Sequence, residues 1–91
     1  MDFTKIKTGD ILKIKEKEYE ITESWDKGFD KLSSGKEKWF SLFEMVEIGS
    51  GKITSTHSII HYDDGKKIFL IDKINKKKKK IKKEEVKLFS S

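Results

Sequence analysis

Apolar and polar positions alternate with a period of two along much of this chain, the signature of half-buried strands. Leu12 and Ile14 fall on one face, with Lys13 and Lys15 on the other. After a polar turn near Glu16 and Lys17, Tyr19 and Ile21 repeat the alternation. Residues 11–21 therefore predict a β-hairpin, led in by a Gly9-Asp10 turn, with Phe3 and Ile6 available to tuck under the core. Residues 23–37, with Gly28, Ser33, Ser34 and Gly35, predict loops around a short strand at Phe29 and Leu32. The stretch Lys38 to Ile48 predicts a strand into Phe40, then about two helical turns at most. Ser41 and Glu44 have capping-box spacing, Leu42, Met45 and Val46 share a helical face, and Gly49 follows as a stop. Lys52 to Tyr62 predicts one long strand rich in β-branched residues, and Asp63-Asp64-Gly65 the hairpin turn after it.

The most apolar stretch, Ile68 to Ile71, predicts a strand buried on both faces or crossing the centre of the core. Beside it stands the most charged stretch, Lys76 to Lys83, which predicts a further strand with Ile81 pointing in. Glu84 to Phe89 closes the chain with Val86, Leu88 or Phe89 on the core. Gly residues at 9, 28, 35, 49, 51 and 65 give strand-and-turn spacing. The fold class expected is mainly β: a small antiparallel barrel or strongly bent sheet, one domain over 1–91, with at most one short helix near 41–48. The Gly9-Asp10 hairpin resembles the opening hairpin of SH3-like small β-barrels over about 15 residues, which implies a binding fold and leaves the function open. Gly9 and Ile11 are echoed by Gly51 and Ile53 at an offset of 42, a hint of duplication.

Composition sharpens this picture. The chain has twelve Ile, six Phe and five Leu but no Ala, an inventory that favours pleated surfaces over helices. Without Cys, disulfides and thiolate metal sites are excluded. No apolar run approaches the ~20 residues of a membrane span, and no signal peptide opens the chain, so the expected location is cytoplasmic. All 21 basic residues are Lys, Gln is absent and Asn occurs once, a thermophile-like composition.

Charge supplies the candidate chemistry. Residues 1–65 hold 10 Lys and 13 acids, whereas residues 66–91 hold 11 Lys and 3 acids. That asymmetry points to a polyanion-facing C-terminal region, with Lys73, Lys76, Lys77, Lys78, Lys79, Lys80, Lys82 and Lys83 as candidate contacts to DNA or RNA phosphates. Lys lacks the planar fork that reads guanine edges, so such contacts carry little sequence selectivity. The competing reading is an edge strand kept soluble by Lys, or one neutralised by Glu16, Glu18, Glu20 and Glu23. Trp25, Phe29, Trp39, Phe40, Phe43 and Tyr62 are possible stacking platforms, most of them needed for the core, and Trp25 is the best exposed candidate because its neighbours are polar.

His57 and His61, four apart on a strand, lie ~13 Å from each other, too far to share an ion. Ser58, His57 and Asp63 are close in sequence, which is not triad geometry. With no phosphate loop, nucleophile elbow or Cys nucleophile, no enzyme, metal or cofactor is expected. The function expected is a small non-enzymatic binding module contacting nucleic-acid phosphates. The alternative is a protein-interaction module, an adaptor or inhibitor, with the lysines a solvated edge.

Overall fold

The computed structural model describes the backbone of residues 3–31, 37–62 and 67–89, with their side chains apart from those of 4, 26–31 and 37–39. Seven strands are formed: β1 (Ile11–Ile14), β2 (Lys17–Lys31), β3 (Glu37–Glu47), β4 (His57–Tyr62), β5 (Ile68–Asp72), β6 (Lys77–Ile81) and β7 (Val86–Phe89). They build one antiparallel sheet in the order β6-β5-β4-β3-β2-β1-β7. Two short 3-10 turns, Phe3–Lys5 and Lys83–Glu85, are the helical elements among the described residues.

The connection from β6 to β7 dictates the overall shape. These strands are the two edges of the sheet, yet only residues 82–85 separate them. Five Cα steps reach at most about 17 Å. Six strand spacings laid flat would hold the edges about 29 Å apart. The sheet must therefore curl until its edges approach, and it forms a strongly curled half-barrel. Lys15 N–H donates to the Glu85 carbonyl at 3.4 Å, which ties the β1–β2 turn to the crossing segment.

Register assigns each side chain to a face. Inward rows run Ile21–Met45–His57–Asp72–Lys77 and Phe43–Ile59–Leu70–Lys79 across successive strands. Leu12, Ile21, Phe43, Met45, Ile59 and Ile68 are essentially fully buried. Each contributes about 1.5–3 kcal/mol by leaving water. Phe3 and Ile6 plug the lead-in side, as their spacing suggests.

Several expectations change. No helix forms near 41–48: β3 continues as strand to Glu47, because Phe43 and Met45 bury on one face with period two. The Glu44 carboxylate, which capping would have used, is taken by Ser55, Ser58 and Lys73. Gly49 still marks a stop, with φ +88° in the turn after β3. Residues 23–31 are strand, not loop, with register shifts between Ile21 and Glu23 and between Trp25 and Gly28 absorbing the irregular polar stretch. The strand expected over 52–62 begins only at His57. Ile53 sits in a loop whereas Ile11 sits in β1, so this echo at an offset of 42 is not matched in the structure. The Asp63-Asp64-Gly65 tip and Leu32 lie outside the described residues, although Tyr62 N–H bonds the Lys67 carbonyl at 2.9 Å across the β4–β5 hairpin. Finally, Ile68–Ile71 does not cross the centre of the sheet. β5 is next to the edge, and of these four residues only Ile68 is fully buried.

Candidate nucleic-acid interface

The reason β5 is apolar on both faces appears on the outside of the sheet. Residues paired directly across strands share a face, which puts Trp25, Leu42, Ile60, Phe69 and Lys80 in one outward row over five strands. A second row holds Phe40 and Tyr62, and a third runs Glu23–Glu44–Ser58–Ile71–Lys78. The rings form a chain: Phe40 to Tyr62 at 5.9 Å, then Tyr62 to Phe69 at 6.0 Å in an edge-on arrangement. Lys78 Nζ stands 4.6 Å over the Phe69 ring, a cation–π contact. Trp25 is 57% exposed at the far end of the first row, and Leu42, Ile60, Phe69 and Ile71 are each half-buried.

The lysine run divides according to this geometry. Ile81 points in, so Lys77 and Lys79 share its side of β6, while Lys78 and Lys80 point outward. Lys80, Lys82 and Lys83 line a shallow groove with Lys67, His61 and Glu84. Lys76 occupies the β5–β6 turn with φ +55°. Lys73 is bound to Glu44, so its charge is already matched. Among the described residues, Lys76, Lys77, Lys80, Lys82 and Lys83 have no carboxylate within 4.0 Å. Glu16, Glu18, Glu20 and Glu23 pair with none of the run.

Lys73 and Trp25 meet in a depression lined also by Ile53, Thr54 and Glu44. Burial alone would push the Glu44 carboxyl up. Hydrogen bonds from Lys73, Ser55 and Ser58 outweigh it and hold the pKa below the ordinary value. Ser55 Oγ donates at 2.7 Å and Ser58 Oγ at 3.0 Å. This anion fastens the 50–56 loop to the outer face and leaves Trp25 beside it.

The histidines face the interior. His57 Nδ1 lies 2.8 Å from Thr56 Oγ1, and its Nε2 lies 3.7 Å from Asp72. Burial lowers its pKa, against the pull of Asp72 and Glu47. His61 stacks on Phe3 at 4.5 Å. Ser58 leaves β4 on the opposite face from His57 and bonds Glu44, so the two are not brought together. Among the described residues no group of three or more His, Asp or Glu could hold a metal. No helix there is long and apolar enough to cross a membrane.

Phe69 and Ile60 are the functional candidates that sequence reasoning passed over, because a continuous apolar run looks like core. Phe43 is fully buried, while Phe29 and Trp39 pair across β2 and β3 with side chains outside the described set. Compared with family models, curated proteins and solved structures, the chain matches none.

Proposed function

We propose that the outer face of this half-barrel binds single-stranded nucleic acid. Bases stack on Phe69, Phe40, Tyr62 and Trp25, and phosphates are met by Lys78, Lys80, Lys82 and Lys83. The carrying observation is the cross-strand row from Trp25 to Lys80, with Lys78 seated over Phe69. The row spans about 19 Å, the scale of a site for a few nucleotides. Base stacking tolerates any sequence and ammonium groups read charge rather than base edges, so the selectivity is for single strands over sequence.

The test is fluorescence anisotropy with labelled mixed-sequence DNA and RNA strands of about 12 nucleotides; three or four phosphate contacts give a log–log salt slope of about −2 to −3. Absence of binding at ~50 mM salt ends the proposal.

The second reading, a protein-interaction module, draws on the aliphatic members of the same face, Leu42, Ile60 and Ile71, which are half-buried. It predicts a partner that survives nuclease treatment, and binding that tolerates Lys78→Glu with Lys80→Glu. The first reading predicts that this double variant loses its ligand.

A further inference from the structure

The other side of β6 carries a separate feature. Where the sheet fails to close, a cleft of about 660 Å³ opens between β5–β6 and the β1–β2 turn. Its floor is apolar: Ile14, Tyr19, Leu70 and Ile81. Its rim carries more cations than anions: Lys15 and Lys17 from the turn and Lys77, Lys78 and Lys79 from β6, against the carboxylates of Glu16 and Asp72, with His57 beside them. Lys77 and Lys79 occupy inward register positions, opposite Asp72 and Leu70, where a closed barrel would place apolar residues.

An inward lysine on an edge strand is a known guard against edge-to-edge pairing. One such lysine suffices for that purpose. It does not need further cations gathered opposite it from another element, which is what this fold does: Lys15 and Lys17 of the β1–β2 turn line the same cleft as Lys77 and Lys79. Lys15 is the first residue of the two-residue β1–β2 turn and has the φ of +57° that such hairpins require, which fixes where its side chain leaves the turn. Glu85 approaches Lys15 at 3.7 Å and matches one of these charges. Like charges drawn together at the mouth of an apolar cleft are what an anionic head group would separate and satisfy. The volume lies within the range of about 300–1,000 Å³ found for small-molecule sites.

We propose that this cleft binds a small organic anion with an apolar body, its carboxylate or phosphate head held between Lys15 and Lys79. The cleft lies on the opposite side of the sheet from the aromatic row; Lys78 borders both, so the variants that test the cleft are at Lys15 and Lys79, which the outer-face reading does not use.

The test is isothermal titration of the full chain with decanoate, decyl phosphate and decanol. Decanoate, decyl phosphate or both are expected to bind at least about tenfold more tightly than decanol, and the tighter of the two identifies the head group. Lys79→Gln should weaken the anion about tenfold. Lys15→Gly should do the same while keeping or raising the thermal midpoint, because glycine accepts the positive φ freely. Lys87→Glu, outside the cleft, should leave the titration unchanged. Equal affinity for decanol, unchanged affinity in both cleft variants, or no binding of either anion at about 1 mM overturns the proposal.

Discussion

β6 and β7 are neighbours in the chain and the two edges of one sheet, yet they are built on opposite principles. β7 reads Val86, Lys87, Leu88, Phe89, and alternation sends Val86 into the core with Leu88 packed against it. β6 reads four lysines and Ile81, and only Ile81 is buried. β7 is held by its backbone ladder to β1 and also by Val86 and Leu88 on the core. β6 is held by its backbone ladder to β5 and one anchoring isoleucine. Crowding four ammonium groups on one edge costs stability through like-charge repulsion. An edge needs no more than one or two lysines for solubility. The contrast teaches that β6, Ile81 apart, keeps its side chains free of structural duty, and that is the charge the proposed ligand would meet.

The largest expected effect tests the anchor. Ile81→Ala should destabilise by about 2–4 kcal/mol in denaturant unfolding, as it leaves a cavity and detaches β6. Val86→Ala should cost less, about 1–2 kcal/mol, since β7 retains Leu88. The reverse order would break the account of how the two edges are held. Next comes charge. The Lys78→Glu, Lys80→Glu double variant should lose single-strand affinity about a hundredfold, near 2.7 kcal/mol. Lys87→Glu on β7 should change it by less than about threefold. Similar losses from both edges would mean that net charge alone drives binding. Phe69→Ala sharpens the comparison further, with an expected loss of about 1–3 kcal/mol in binding from one stacking platform.

The smallest effect is in the pH dependence. His57 is held neutral by burial, its pKa below the ordinary 6.5. As pH falls below 6.5 the unfolded chain takes up this proton first, so the His57 contribution is complete above that value and declines below it. Glu44 and Asp72, both held below their ordinary values, withdraw theirs only as pH falls below 4.5 and 3.8. His57→Gln should therefore flatten thermal stability between pH 6.5 and 5 and leave the acid limb intact, a change visible in unfolding midpoints across pH.

The β fold was legible because period-two alternation at Leu12 to Ile21 and strong turn residues at Gly9 and Gly49 act locally. The helix expected near 41–48 was not excluded by sequence, because Leu42, Met45 and Val46 satisfy helical spacing as well as Phe43 and Met45 satisfy strand spacing; pairing with β2 and β4 decides it. Trp25 and the lysine run could be singled out from polar neighbours and charge. Phe69, Phe40 and Tyr62 could not be joined to them, since register across five strands is a long-range property. The same register explains why Lys77 and Lys79 separate from Lys78 and Lys80 on a strand whose sequence makes them look equivalent.

The central claim is tested most directly by amide chemical-shift mapping of the full chain titrated with a mixed-sequence single-stranded oligonucleotide. The outer-face account predicts shifts at Trp25, Phe40, Ile60, Tyr62, Phe69, Lys78 and Lys80, with β7 and the buried core quiet. Shifts centred on β7, or none at all, would contradict it.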